Sequence, residues 1–168
     1  DIEIFKSHLV VNERHNGLSR LRIMTWDNNN EHYISFDDPT YAAWISANPE
    51  FNSTQLRFGY SSLTTPTSIY DYDLNTKEKT LKKQDEVLGG TFDSQNYLSE
   101  RIMVPSRDGS TNIPVSLVYH KDFEKSADEP LLLYGYGSYG NTIDPWFSSA
   151  RLSLLDRGFA FAIAHIRG

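Results

Sequence analysis

The stretch Leu131-Leu132-Leu133-Tyr134-Gly135-Tyr136-Gly137-Ser138-Tyr139-Gly140 decides how this chain is read. Its apolar run, bounded by Pro130 and broken by three glycines, predicts a buried strand feeding a tight turn with exposed backbone. Glycines at such a turn let main chain approach a ligand, and Tyr136 and Tyr139 put hydroxyls where a polar transition state would sit. Downstream, Trp146 to Asp156 carries apolar residues at Trp146, Phe147, Ala150, Leu154 and Leu155, a helical spacing that ends before Gly158. Phe159 to Ile166 is a continuous apolar run of the kind buried inside a parallel sheet. Strand, helix and strand in that order make a βαβ unit, so this half of the chain is α/β.

Upstream the periodicity changes. Tyr97 to Pro105 and Ile113 to His120 read as two strands joined by the turn Ser106-Arg107-Asp108-Gly109. Before them, Val87-Leu88-Gly89-Gly90-Thr91 marks a linker. From Asp1 to about Gln84 the pattern is short alternating strands with almost no helical spacing. His8 to Arg14 and Leu18 to Thr25 flank Asn16-Gly17, a favoured two-residue hairpin signal. Glu31 to Phe36 closes the first set at Asp37-Asp38-Pro39; Tyr41 to Ile45, Leu56 to Ser61, Ser68 to Leu74 and Lys79 to Lys83 form a second. Four short strands recurring at about 40 residues is the spacing of propeller blades.

Composition narrows the function classes. The 168 residues carry 13% aromatics and a net charge of −6, with no basic cluster able to neutralise phosphates, which argues against a general nucleic-acid binder. Lys77, Lys79, Lys82 and Lys83 lie among acids and read as a solvated hairpin. With no cysteine, a thiolate metal site and a disulfide are both excluded. No apolar run approaches the roughly 20 residues of a membrane helix.

The chemical motifs are few. Gly135-x-Gly137-x-x-Gly140 has the form of a dinucleotide fingerprint, but Asn141 to Pro145 intervenes where a helix should open, and the next strand ends without an acid for a ribose. Ser138 misses the G-x-S-x-G nucleophile frame by one position. The five histidines, His8, His15, His32, His120 and His165, show no metal spacing, and His165 reads as a hydrogen-bonded structural group. Asp37-Asp38 and Asp71-x-Asp73 read as turn and strand-end residues bonding locally.

Three segments carry a resemblance: Pro130 to Gly140, Arg151-Leu-Ser-Leu-Leu-Asp-Arg-Gly158, and Ala162-Ile-Ala-His-Ile-Arg-Gly168. They closely resemble the start of the catalytic domain in the oligopeptidase B (protease II) branch of the prolyl oligopeptidase family of serine peptidases. Leu56-Arg-Phe-Gly-Tyr-Ser-Ser-Leu-Thr-Thr-Pro-Thr-Ser-Ile-Tyr-Asp-Tyr-Asp73 is similar to the last propeller blade of the same enzymes.

The resemblance implies a β-propeller fragment, the last two four-stranded blades, over residues 1–86, then a linker over 87–96. The first portion of an α/β-hydrolase catalytic domain would occupy 97–168. It implies an interior part of a cytoplasmic serine endopeptidase that cleaves short peptides after Arg or Lys without a cofactor or metal. Tyr136 would be the oxyanion tyrosine and Tyr139 would lie near the substrate pocket, while the nucleophile and base would lie outside these residues. The remainder of the polypeptide, or a second chain, would complete both domains. Phe159, Phe161 and Ile163 are accordingly expected to be partly uncovered. The alternative is a non-catalytic β-rich binding module derived from the same family. The two readings differ at Tyr136: a free hydroxyl facing an open cavity in the first, a hydroxyl buried against a backbone carbonyl if the ring is merely a strand-end aromatic.

Overall fold

A computed structural model describes residues 1–27 and 30–167; Gly168, the last residue of the third resembling segment, lies outside them. The first sheet is an antiparallel meander of β1 (Ile2–Ile4), β2 (His8–His15), β3 (Leu18–Thr25) and β4 (Glu31–Tyr33), in that spatial order. Asn16 and Gly17 turn the β2–β3 hairpin with φ of 50° and 79°, the left-handed pair that a two-residue turn demands. Along β3 burial alternates, so Ser19, Leu21 and Ile23 face inward. β4 ends at Tyr33, short of the expected Phe36, because Ile34 makes the last backbone bond to Leu21 and Phe36 then turns to stack on Tyr60 at 4.8 Å.

The second sheet repeats the pattern with β5 (Tyr41–Ile45), β6 (Gln55–Ser62), β7 (Ser68–Asp73) and β8 (Lys79–Gln84). One core joins the two sheets through Phe5, Val10, Leu21, Ile23, Leu56 and Phe58, among others. Every residue of β8 is exposed, as a solvated hairpin should be. Asp73 caps its turn locally, receiving the Asn75 and Thr76 amides. Asp38 does not stay local: its carboxylate accepts the Tyr60 hydroxyl at 2.5 Å and the Thr64 and Thr65 hydroxyls at 3.1 Å. Burial and this partnership drive the Tyr60 hydroxyl pKa far above its ordinary value.

The third sheet is built differently. β9 (Tyr97–Pro105) and β10 (Asn112–His120) form a long antiparallel hairpin, and β11 (Leu131–Tyr134), helix α1 (Ser149–Leu155) and β12 (Ala160–Ala164) form the βαβ unit, with β11 and β12 parallel. The spatial order is β11-β12-β10-β9. α1 starts three residues later than the periodicity suggests. Trp146 is drawn off to pack on Trp44, and the Phe147 amide to donate to the Ser61 hydroxyl, so neither joins the helix. Gly158, with φ of 84°, closes the helix end as expected.

Two burial expectations are corrected. β12 lies inside the sheet, and Phe161 and Ile163 are buried in a second core with Tyr97, Val118, Leu152 and Leu155. The uncovered strand is β11, read from sequence as buried: among the described residues it pairs only with β12, and Leu131, Leu132, Leu133 and Tyr134 are between 44% and 61% exposed. An apolar run thus marks a strand but not its place in the sheet.

Gly59 faces Trp44 across the β5–β6 pair, and a Cβ there would sit 2.0 Å from the indole Cε2. Gly59→Ala must therefore displace the ring. The expected loss is about 1–3 kcal/mol of stability, measured by urea unfolding, with tryptophan emission shifting toward that of a solvated indole.

Candidate functional site

β11 ends at Tyr134, two residues before Tyr136, because its last pairing is with Ile163 of β12. The chain then leaves the sheet as Gly135-Tyr136-Gly137 and closes into a short 3₁₀ turn, Ser138–Gly140. The glycine required here by close approach is Gly137, whose missing Cβ would lie 2.4 Å from the Arg167 carbonyl and 3.2 Å from Ile166 Cγ1. Gly140 supplies a left-handed φ of 69°, and Tyr139 adopts the same region at φ 60°. The turn is thus pressed against the chain emerging from β12.

Tyr136 is 39% exposed, and among the described residues its hydroxyl has no hydrogen-bond partner. Tyr139 stands almost free of the protein, 95% exposed. The Ser138 carbonyl accepts the Asn141 amide and closes the turn. The glycine turn does not open a helix: α1 begins at Ser149, so the arrangement that holds a dinucleotide pyrophosphate is absent among the described residues.

From Asn141 the chain returns across the first two sheets. Asp144 receives a two-pronged pair from Arg14, both contacts at 2.8 Å. Trp146 lies 4.9 Å from Trp44, ring to ring, and Ile143 and Phe147 pack on the second core. Arg151 reaches back to the Trp146 carbonyl at 2.9 Å and covers the Phe161 ring at 4.2 Å. Desolvation there pulls its pKa down to about 10.

His165 follows β12 directly and is bonded on both nitrogens, as a structural histidine should be. Nδ1 lies 3.0 Å from the Ile143 carbonyl and Nε2 lies 2.6 Å from the Ser116 hydroxyl. Ser116 in turn bonds Thr40, and both hydroxyls are fully buried. Burial holds the His165 pKa below its ordinary value, and the Arg101 guanidinium acts in the same sense. Arg101 donates to the Asn16 carbonyl at 2.6 Å, while its Nη1 is buried without a partner among the described residues.

The sequence reading missed Thr40, Ser116 and Arg101. Their partners are 76, 49 and 85 positions away, on other elements, and no local spacing signals such contacts. No group of three or more His, Cys, Asp or Glu that could hold a metal occurs among the described residues. Nor is any described helix long and apolar enough to cross a membrane.

Comparison with known proteins agrees with this architecture. Residues 1–85 match the family described as "Prolyl oligopeptidase, N-terminal beta-propeller domain". The chain is 45% identical to dipeptidyl aminopeptidase BI of Pseudoxanthomonas mexicana over 99% of its own length and 22% of that protein's. It is 31% identical to Protease 2 of Moraxella lacunata, covering 98% of this chain and 23% of that one. Among solved structures it resembles oligopeptidase B from Leishmania major, with a TM-score of 0.88 and 39% identity, over 100% of this chain and 24% of that chain. The chain therefore spans less than a quarter of the length of these relatives.

The Arg14–Asp144 pair joins the first sheet to the returning segment, yet Arg14 is substantially exposed. A double-mutant cycle of Arg14→Ala and Asp144→Ala, followed by urea unfolding, is expected to give a coupling of no more than about 1 kcal/mol, shrinking further in high salt.

Proposed function

The chain belongs to the prolyl oligopeptidase family, and from that premise we propose that it is part of a serine-type oligopeptidase to which it contributes the oxyanion tyrosine. On this reading residues 1–86 are the last two propeller blades, 87–96 the linker, and 97–168 the first portion of an α/β-hydrolase domain. Two consecutive four-stranded meanders followed by a βαβ-containing sheet support that division. The exposed apolar side chains of β11 are then the surface that the rest of the whole protein covers. The whole enzyme is assigned to the cytoplasm on the resemblance alone.

The single observation behind the catalytic role is the Tyr136 hydroxyl, which is free of any acceptor among the described residues and held on a turn that Gly137 fixes against Arg167. A donor aimed at developing charge must not be satisfied in the ground state by its own protein. In acyl transfer the nucleophile attacks the peptide carbonyl, whose oxygen becomes anionic. Tyr136 donates to that oxygen beside a backbone amide of the residue following the nucleophile. Tyr139, exposed on the same turn, lies near the bound peptide. The nucleophile and base come from residues beyond these, since no serine here has the elbow frame.

Two specificities are in play, and each has its own support. The likeness to oligopeptidase B favours cleavage of short peptides after Arg or Lys. The higher identity, 45%, is to a protein named dipeptidyl aminopeptidase, which favours release of dipeptides from a free amino terminus. An amino-blocked dipeptidyl-arginine amide and a free-amino dipeptidyl amide, offered to the full-length enzyme, separate them. Turnover of the blocked substrate supports the first; turnover of the free-amino substrate alone supports the second.

In the full-length enzyme, Tyr136→Phe is expected to lower kcat by about 100-fold or more, as loss of one oxyanion donor does, with little change in KM or Tm. Unchanged turnover removes the reading. The isolated 168-residue chain is expected to hydrolyse neither substrate. Saturable turnover by the purified segment, blocked by a serine-directed covalent reagent, would overturn that expectation.

A further inference from the structure

His165 cross-links the two arms of the loop that carries Tyr136. One arm, Gly135 to Gly137, rests on the chain just past β12, with Gly137 pressed on Ile166 and Arg167. The other arm comes back at Ile143, whose carbonyl meets His165 Nδ1 at 3.0 Å. A carbonyl only accepts, so Nδ1 carries the hydrogen. In a neutral ring Nε2 is then an acceptor, and the Ser116 hydroxyl, 2.6 Å away, must donate to it. Having given up its one hydrogen, Ser116 is left to accept from Thr40. The chain therefore runs one way, from the Thr40 hydroxyl to Ser116, to His165 and to the Ile143 carbonyl. It begins in the residue just before β5 and ends in the returning arm of the turn.

We propose that His165 is a positioning residue for the Tyr136 turn, held in its neutral Nδ1–H form by this one-way hydroxyl chain, so that contact with the second sheet is coupled to the geometry of the turn. The inference rests on the reading of Tyr136 given above. A proton on Nε2 reverses the chain: Nε2–H donates to Ser116, Ser116 donates to Thr40, and the Thr40 hydrogen is driven from its bond in a fully buried site. The charged groups around the ring mostly oppose that proton. Arg101 from β9 and Arg14 from β2 disfavour a cation, Asp144 of the returning arm favours one, and burial disfavours it most. Because the folded pKa lies below the ordinary value, the neutral chain is intact above pH 6.5 and is lost as pH falls through the lowered value.

The test uses the full-length enzyme, labelled with ¹⁵N and ¹³C in histidine, with His165→Asn identifying the His165 resonances. The expected result is an Nδ1–H tautomer and a titration midpoint below 6.5. An Nε2–H tautomer, or a midpoint at or above that value, overturns the proposal. Thr40→Val removes the head of the chain and keeps its volume. It leaves Ser116 without the partner that orders its hydroxyl, and is expected to shift the His165 midpoint and the acid limb of kcat together by about half a pH unit or more, with KM changed less than about twofold. Thr40→Ser restores the hydroxyl and is expected to restore the wild-type curve. Other groups of the full-length enzyme also shape the acid limb, so the difference between Val and Ser variants is the quantity read. Superposable Val and Ser curves overturn the coupling. Should Thr40→Val fail to fold, the tautomer and midpoint of the unmodified enzyme still decide the question. Full turnover by Tyr136→Phe beside a shifted acid limb in Thr40→Val overturns the oxyanion reading and leaves the coupling standing.

Discussion

The indole of Trp44 lies against bare backbone at Gly59, where any larger residue would place its Cβ 2.0 Å from the ring. That fit sets the height of the Trp44 ring above the second sheet, and Trp146 rests on it at 4.9 Å. Trp146 in turn fixes where the returning segment crosses, which brings the Phe147 amide to Ser61 and the Ile143 carbonyl to His165. A substitution at one cross-strand position thus reaches the Tyr136 turn through contacts of packed rings and short hydrogen bonds. Close-packed groups of this kind transmit displacement because no free volume absorbs it.

The seam between the first two sheets and the third is held by neutral groups where it is buried and by ions where it is wet. Thr40 and Ser116 are fully buried and are satisfied by each other and by His165. The Arg14–Asp144 pair sits at the exposed margin, where desolvation costs little and the Coulomb gain is small. Arg101 is the exception. It is desolvated, bonds one backbone carbonyl, leaves Nη1 unpaired among the described residues, and has its pKa lowered by its burial. Its charge is felt by His165, where it adds to the burial that lowers the ring's pKa. An imperfectly solvated cation therefore acts here on a neighbouring group's protonation, not as half of an ion pair.

The local grammar of the chain was readable, and the partners across the seam were not. Asn16-Gly17 announced its hairpin because only residues tolerant of positive φ fit a two-residue turn, and the βαβ unit showed in the change from period 2 to period 3.6. The late start of α1 was hidden, because Trp146 has helical spacing but a stronger partner in Trp44, 102 positions earlier by number (146 − 44). Burial of β11 was misread for a related reason: apolar character on both faces says that a strand can be covered, not that anything in this sheet covers it. At the candidate site the glycine turn and both tyrosines were visible, since turn chemistry is local. The hydroxyl chain behind the turn was invisible, since Thr40, Ser116 and His165 are common residues that gain meaning only when the second and third sheets meet.

The turn itself shows why strain and support must be separated. Tyr139 occupies left-handed space at φ 60° without burial, and among the described residues without hydrogen bonding, of its side chain to stabilise it, so the turn's conformation is imposed by its neighbours. Gly137 on one side and the Ile143 carbonyl on the other are the two points at which it is gripped. Between them, six positions along the chain from Gly137 to Ile143, the backbone pairs with no strand among the described residues. A loop gripped only at its ends keeps its tyrosines exposed while fixing where they emerge. That combination suits a hydrogen-bond donor that must stay unsatisfied until charge develops beside it.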